Sequence, residues 1–477
     1  MAHFNSPRLP MIANRSGIRA ACAALLLSLA PAVASAQGQD VAANADRYLS
    51  VRAEMGNFSG AVLIAKGDSV LFRKGYGYAD VENRIPYTAE TQHHVASISK
   101  MFTAMAVLKL RDSGKLQLRD PLCRYIAKCP AAWQAITIDQ VIHHTSGIPD
   151  YESGLGLGSD EYTAFMAQPD ASEKIVELAM TKPLDFTPGS KFTYSNTAYM
   201  LLNTVVEKAA GVPFATYMRR TLLDPAKMTS SGVAGNSPGP TRPSFGYTYG
   251  DIGWAKTLGG VSFTDGHMKR VGKLETVGGA WLYSTLDDLL RWSRIMDGSS
   301  LVSKKLAVEA FRPQLEGYAA GWIVDSTFKR KRVMHTGSLP GYVSNITKFP
   351  DDSVTIIVFS NIDRGRMGTV MRDLTAISFG LPFDMPVRGT FLTLTAQQYA
   401  PLLGDYRMAD GRKLEISMTD MLTAKLENQY TAGLLPISPT EFYFPLGDGR
   451  AIFKLGPDGK ATEVNMRYAA TDHIAKR

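Results

Sequence analysis

Strand patterns lie at both ends of residues 40–380, and helical patterns lie between them. Near the start, residues 59–65 and 69–76 are rich in β-forming residues and are joined by Lys66-Gly67-Asp68, a hairpin signal. Strand patterns return at residues 320–325, 332–335, 341–349 and 353–360. This order predicts a mixed α/β (α+β) fold, with one sheet whose edges come from the two ends of the stretch, packed by a helical region.

Helical periodicity recurs between these strand patterns. In residues 97–112, the apolar side chains of Met101, Met105 and Leu108 fall on one face. Ser284 and Asp287 form a predicted capping pair for a later helix. The predicted helices cover residues 40–52, 97–112, 137–143, 172–180, 196–210, 285–296 and 367–379.

The pattern changes after Phe383. Residues 392–403 lead into short strand-like segments, with Asp-Gly turn signals at 410–411, 448–449 and 458–459. The chain has 477 residues, which is long for a single core. We therefore predict a first domain at residues 37–384 and a small all-β barrel or sandwich at residues 385–477.

The chain begins with a segment that is typical of a secretory signal peptide. Three arginines precede an apolar run at residues 20–33, and Ala34-Ser35-Ala36 supplies the small-residue pattern that signal peptidases cut. A membrane anchor is disfavoured because the run is short and has no basic stop-transfer flank. We predict a signal peptide at residues 1–36, export to the periplasm or the medium, and no stable membrane insertion after cleavage.

The composition is that of a folded protein, with 45% hydrophobic and 20% charged residues. Loss of the leader with its three arginines reduces the formal net charge from +8 to +5. The remaining basic residues are scattered and form no stripe of the kind that binds nucleic acid. We expect a small molecule or a peptide as substrate and no nucleic acid, and the sequence leaves the oligomeric state open.

Two cysteines remain after removal of the leader, which takes Cys22 with it. Cys123 and Cys129 lie six positions apart and are candidates for a disulfide in an oxidising compartment. Such a bridge closes a short loop and contributes about 2 kcal/mol. No Cys/His cluster has the spacing of zinc ligands, so we expect no metal.

Ser97-Ile98-Ser99-Lys100 opens a predicted helix. A serine and a lysine three residues apart lie on the same helix face, so the amine is able to take the hydroxyl proton or to orient it. The helix N-terminus adds donors that favour negative charge near Ser97. Taken alone, this pattern is weak, because it more often marks a solvated helix face.

Tyr194-Ser195-Asn196 directly precedes an apolar helix. In a turn, Tyr194 and Asn196 point to the same side, where the phenol is able to relay a proton and the amide to fix a substrate amide or the Lys100 amine. The alternative reading is a core tyrosine followed by an asparagine helix cap.

His335-Thr336-Gly337-Ser338 ends a short strand pattern. Gly337 allows a substrate backbone to approach closely, and the N–H of Ser338 is able to pair with that of Ser97 as an oxyanion hole. His335 is a candidate to bind a substrate carboxylate or to tune the proton relay. The alternative is a structural histidine at a strand end.

The order and spacing of the three motifs resemble the serine β-lactamase and penicillin-binding protein superfamily. The middle Tyr-Ser-Asn resembles the branch with class C β-lactamases, DD-carboxypeptidases, D-aminopeptidases and esterases. Stretches that also resemble this branch are His144 to Pro149, Pro188-Gly189-Ser190, Gly278-Gly279, Tyr283-Ser284-Thr285 with Asp288-Leu289, and Tyr318 to Trp322.

This resemblance implies an antiparallel sheet flanked by helices, beside an all-helical region, with the site between them. It also implies that Ser97 is acylated, that Lys100 and Tyr194 move protons, that Asn196 positions them, and that no cofactor is needed. Residues 402–406, Leu-Leu-Gly-Asp-Tyr, resemble the lipocalin-like barrel appended to many such hydrolases.

One departure concerns His335, because class C β-lactamases carry lysine there. A neutral histidine binds a carboxylate less strongly than a permanent cation does. The His-Thr-Gly pattern also resembles that of the DD-peptidase and esterase relatives, so we expect a D-amino-acid peptidase of the DD-carboxypeptidase kind or a carboxylesterase. A class C-like β-lactamase and a non-catalytic penicillin-binding sensor remain alternatives. Substrate choice is expected to depend on an irregular excursion at residues 235–275.

Overall fold

A computed structural model describes residues 40–151, 171–236, 239–249, 268–271, 282–362, 367–387, 391–427, 431–444, 449–468 and 470–477. The predicted signal peptide, Gly278-Gly279 and most of the 235–275 excursion lie outside these residues. Within them, no helix is both long and apolar enough to cross a membrane.

The strands of the first part of the chain are short or medium in length. They are β1 Gly60–Lys66, β2 Ser69–Tyr76, β3 Tyr78–Asp80, β4 Ile85–Pro86, β5 His93–His94, β6 Gly232–Val233, β7 Tyr247–Tyr249, β8 Met268–Arg270, β9 Leu282–Ser284, β10 Ile323–Thr327, β11 Arg330–Leu339, β12 Tyr342–Phe349 and β13 Val354–Ser360.

The helices are α1 at 40–54, α2 Ser99–Asp112, α3 Ile138–Ile142, α4 Ala171–Met180, α5 Asn196–Ala210, α6 Phe214–Met218, α7 Leu286–Ile295, α8 Lys304–Ala310, α9 Met367–Ser378 and α10 Ala396–Tyr399. Single tight turns lie at Ala96–Ile98, Leu122–Arg124, Ala131–Trp133, Leu315–Gly317, Pro350–Asp352 and Ala400–Leu402, with a wider π turn at Arg219–Leu223.

The main sheet has six antiparallel strands in the order β10-β11-β12-β13-β1-β2. Strand β1 from the start of the domain pairs with β13 from its end, with Val62 opposite Val358. One edge strand is therefore the early β2 and the other is the late β10. The expectation of one sheet with edges from both ends of the stretch is confirmed.

Both faces of the sheet are covered, which explains why β1 is an uninterrupted apolar run. Val62 and Ile64 pack on one side with α1 and α9. Ala61 and Leu63 point to the other side, into a larger core that includes α2, α5 and α7. The sheet therefore holds α2, which follows Ser97, against its second face.

Local sequence signals place most helix ends within a residue or two. The predicted capping pair of Ser284 and Asp287 is wrong by one residue, because Thr285 is the cap and accepts from the N–H of Asp288. The strand predicted at 320–325 begins only at Ile323. Before it, Gly321 has φ +75 and lies so close to α2 that a Cβ would meet the Met101 Cα at 2.5 Å.

The C-terminal part forms a nine-stranded antiparallel sheet in the order β17-β16-β15-β14-β22-β21-β20-β19-β18. Its end strands β17 and β18 are consecutive in the chain, so the sheet nearly closes into a barrel. The bounds are β14 Gly404–Met408, β15 Lys413–Met418, β16 Leu422–Leu426, β17 Thr431–Gly433, β18 Leu435–Pro436, β19 Glu441–Phe444, β20 Gly449–Leu455, β21 Ala461–Arg467 and β22 Ile474–Lys476.

Large side chains occupy the barrel core, among them Tyr406, Phe442, Phe453 and Met466. The all-β barrel that the turn signals predicted is confirmed as a fold. The domain boundaries at 37–384 and 385–477 stay predictions.

Cys123 and Cys129 form a disulfide, with their Cα atoms 5.3 Å apart. Both pack against the helical core, near the fully buried Trp133. The bridge therefore ties down the connection between α2 and α3.

Candidate active site

Ser97 lies in the turn Ala96–Ile98, directly before α2. Within residues 95–100 it is the one residue that is not classed as fully buried. The preceding Ala96 is completely buried and has φ 49, a backbone conformation that costs about 1 kcal/mol for a residue with a side chain. The buried neighbours of Ser97 therefore hold this turn in place, while Ser97 itself stays partly accessible.

Lys100 is 4% exposed and lies one turn after Ser97. Its Nζ donates to Ser97 Oγ at 3.0 Å and to Asn196 Oδ1 at 2.7 Å. The same Nζ lies 4.9 Å from the ring centroid of Tyr194 and 5.7 Å from that of Tyr199. Aromatic faces and an amide oxygen both favour the charged ammonium form of Lys100.

The start of α5 brings Tyr194 and Asn196 to this amine. Ser195 caps the helix by accepting the N–H of Ala198 at 3.1 Å, so Asn196 is the first helical residue and Tyr194 lies just outside. Asn196 is 6% exposed. Of the two roles predicted for its amide, the structure displays the contact with the Lys100 amine.

Strand β11 runs past the Ser97 turn, and its residues from 335 to 339 are alternately buried and exposed. Thr336 and Ser338 are exposed, whereas His335 and Gly337 are buried. Pairing with β10 reaches only to Met334. Among the described residues no strand pairs with the outer edge of 335–339, and that edge is free to meet an extended ligand.

Position 337 requires a glycine because neighbouring residues of this protein leave no room for a side chain. A Cβ at this position would lie 2.2 Å from the carbonyl oxygen of Val95 and 3.1 Å from the Cβ of Ala96. The close approach that the structure displays is between β11 and the Ser97 turn, and the predicted approach of a substrate to Gly337 stays a prediction. Ser344 of β12 reinforces it by donating to the Val95 carbonyl at 2.8 Å.

His335 is 2% exposed, and both of its ring nitrogens have partners. Nδ1 lies 2.6 Å from the Thr336 carbonyl, which only accepts, so Nδ1 carries the proton. Nε2 then accepts from the hydroxyl of Tyr318 at 3.2 Å. Burial, with a smaller effect of the Lys100 charge, lowers the pKa of His335 to about 4. The ring is therefore neutral and enclosed, and its predicted roles in carboxylate binding or in the proton relay stay predictions.

His144 is a second neutral imidazole beside the site. It is 1% exposed, and its Nδ1 accepts the N–H of Ser195 at 3.0 Å. Its ring centroid lies 4.3 Å from that of Tyr194 and 4.6 Å from that of Tyr318. Burial and then the charge of Lys100 hold the pKa of His144 well below its usual range. The ring therefore packs against Tyr194 without adding charge.

The sequence analysis did not single out two residues that the structure brings to the site. Tyr318 was noted only within a stretch of family resemblance, and its hydroxyl meets His335. Asp150 follows the stretch His144 to Pro149 and contacts Asn196. The signal in the sequence was an aspartate directly after that stretch. Its partner Asn196 lies 46 positions away, so the sequence did not show what it contacts.

Comparisons with known proteins show which proteins this chain resembles in sequence and in fold. The family model described as Beta-lactamase matches residues 45–378. Penicillin-binding protein 4* of Bacillus subtilis (strain 168) is 27% identical over 423 residues, which cover 85% of this chain and 92% of that protein.

Two solved structures share the fold. A penicillin-binding protein homologue from Pyrococcus abyssi, described as octameric, aligns with a TM-score of 0.63 and 22% identity, over 90% of this chain and 98% of its own. A D-stereospecific amidohydrolase from Streptomyces aligns with a TM-score of 0.56 and 22% identity, over 71% of this chain and 99% of its own.

Proposed function

Since the chain belongs to the beta-lactamase family, among penicillin-binding protein homologues, we propose that it is a serine hydrolase acting through an acyl-enzyme on Ser97. One observation carries the proposal: the buried Lys100 Nζ donates to Ser97 Oγ at 3.0 Å while Asn196 Oδ1 holds it at 2.7 Å. Ser97 is also the one residue of 95–100 that is not fully buried. A partly accessible hydroxyl that contacts a buried amine is the arrangement of an activated nucleophile.

In the acylation step, Ser97 Oγ attacks the substrate carbonyl carbon and loses its proton. Lys100 already donates to this oxygen, so an ammonium there stabilises the developing alkoxide. Tyr194 lies against the same amine and is the proposed relay, which takes the Ser97 proton and delivers it to the leaving oxygen or nitrogen. Water then cleaves the acyl-Ser97 ester by the reverse proton movement.

The oxyanion is proposed to lie between the backbone N–H groups of Ser97 and Ser338. The supporting feature is the tight contact at Gly337, which brings β11 against Val95 and Ala96. Any larger residue at 337 would push the two N–H groups apart, so this contact sets the width of the hole.

The substrate is proposed to be an uncharged carboxylic ester or a D-aminoacyl amide. Thr336 and Ser338 offer hydroxyls along the exposed edge of β11, whereas the imidazole of His335 is neutral and enclosed. Position 335 thus supplies no positive charge for a substrate carboxylate. This disfavours β-lactams and peptides with a C-terminal D-Ala carboxylate relative to neutral esters and amides.

A substrate panel tests this function. The protein is expected to hydrolyse p-nitrophenyl butyrate and D-alanine p-nitroanilide with kcat/KM at least about 10-fold above the values for nitrocefin and a D-Ala-D-Ala peptide, about 1.4 kcal/mol in the transition state. The Ser97→Ala variant serves as the blank for every substrate. Faster turnover of nitrocefin than of both substrates without a carboxylate would instead identify a β-lactamase.

We further propose that the protein acts outside the cytoplasm. The sequence pattern of residues 1–36 supports this location, and so does the disulfide between Cys123 and Cys129.

A further inference from the structure

We propose that Asp150 is a positioning residue that fixes the side-chain amide of Asn196 so that its oxygen faces Lys100. The proposal rests on the function given above, because its main readout is the turnover that Ser97 carries out. Asp150 contacts Asn196 and acts through it.

The carboxylate of Asp150 is 7% exposed and contacts Asn196 at two points. Oδ1 accepts the backbone N–H of Asn196 at 2.5 Å, and Oδ2 accepts from its side-chain Nδ2 at 3.4 Å. Oδ1 also lies 3.4 Å from the backbone N of Thr197. The amide is therefore held at its donor end by an acid, and its acceptor end is left for Lys100.

The orientation of this amide decides whether Lys100 has a partner. A side-chain amide has a donor end and an acceptor end of nearly the same shape, so only its neighbours select one orientation. A carboxylate accepts and never donates, which allows only Nδ2 to face Asp150. If the amide flipped, its NH₂ group would face the Lys100 ammonium, and the 2.7 Å bond would be lost.

The segment that carries Asp150 is fastened to the beginning of α5. The N–H of Tyr151 donates to the Thr197 hydroxyl at 3.0 Å. The N–H of Ser195 donates to His144 at 3.0 Å. Asp150 thus lies between two cross-links and is held in place relative to Asn196.

Asp150 is more than a helix cap. The capping position of α5 already has Ser195, whose hydroxyl accepts the N–H of Ala198. The contact of Asp150 Oδ2 with the side chain of Asn196 serves no backbone group. A purely structural role would lower the thermal stability of Asp150→Asn without changing kcat per folded molecule.

The test compares Asp150→Asn with the double variant D150N/N196D. In the single variant two NH₂ groups face each other, so the Asn196 amide is expected to flip and kcat to fall by about 10- to 100-fold. KM is expected to stay within about threefold, since Asp150 does not touch the substrate. The double variant exchanges acid and amide, so that an NH₂ group at position 150 again faces an oxygen at position 196, and it is expected to recover at least about 10-fold in kcat.

Asp373→Asn is the matched control. Asp373 is 1% exposed, accepts from the Tyr48 hydroxyl at 2.7 Å and lies on α9, on the other side of the sheet. This variant is expected to lose thermal stability and to keep kcat within about twofold, because it leaves the site intact.

The outcomes separate this inference from the proposed function. Unchanged kcat in Asp150→Asn, or no recovery in the double variant, overturns the role of Asp150 while Ser97→Ala remains inactive. Equal loss of kcat in Asp150→Asn and Asp373→Asn also overturns it. Turnover that survives Ser97→Ala overturns the proposed function itself.

Discussion

Replacement of Lys100 by methionine is expected to lower kcat for a neutral ester by about 10³- to 10⁴-fold, since it removes the ammonium that stabilises the developing Ser97 alkoxide and that lies against the proposed Tyr194 relay. Methionine keeps the length and the apolar stem of lysine, so the core around α2 stays filled. The lost elements are the 3.0 Å contact with Ser97 Oγ and the ammonium that stabilises its alkoxide. Steady-state kinetics of p-nitrophenyl butyrate hydrolysis measure the effect.

Lys109→Met is the control on the same helix. Its Nζ donates to the Leu301 carbonyl at 3.0 Å, outside the site. This variant is expected to keep kcat within about twofold, because the loss of one partly exposed hydrogen bond costs only about 1 kcal/mol of stability. Equal activity of Lys100→Met and wild type would show that the amine takes no part in activating Ser97.

The free energy of unfolding is expected to fall steeply as pH decreases from about 6.5 to about 4. Burial lowers the pKa of His93 to about 3 and those of His94 and His335 to about 4, and it holds that of His144 well below its usual range. Between these values and the ordinary value of 6.5, the unfolded chain binds protons that the folded chain excludes. The contribution of these histidines to the free energy of unfolding is therefore fully present above pH 6.5 and is lost as the pH falls.

Four imidazoles that titrate only in the unfolded chain give a slope of about 5 kcal/mol per pH unit, or about 1.4 for each ring. Urea unfolding at pH 7.5, 6.0 and 5.0 measures this slope. His335→Gln removes one of these rings and is expected to reduce the slope by about one quarter. A free energy of unfolding that stays constant from pH 7.5 to 5.0 would contradict the burial of neutral histidines.

Local signals in the sequence were sufficient for seven helices and for the first members of the site, but they missed the short helices α6, α8 and α10. Ser195 and Gly211 flank α5, and the predicted helix 196–210 has the observed bounds. Ser97 and Lys100 were predictable as partners because their spacing is a property of a single helix turn. Contacts of this kind depend on a few neighbouring residues.

Long-range contacts set the remainder of the site, and the sequence did not reveal them. The requirement for glycine at 337 comes from Val95, which is brought there only by the pairing of β11 with β12 and the packing of the Ser97 turn. The partner of His335 Nε2 is the hydroxyl of Tyr318, which lies 17 positions away in the chain. Asp150 meets Asn196 across 46 positions of chain, so neither residue type nor spacing could indicate the pair.

The most direct test of the central claim is to trap the acyl-enzyme. The protein is mixed with p-nitrophenyl butyrate, quenched in acid during turnover, and analysed by intact mass and peptide fragmentation. We predict one butyryl group on Ser97, absent in Ser97→Ala and retained in Ser99→Ala, since Ser99 is buried and its hydroxyl accepts the N–H of Leu282. An acyl group on any other residue, or the same adduct in Ser97→Ala, would contradict the assignment of Ser97 as the nucleophile.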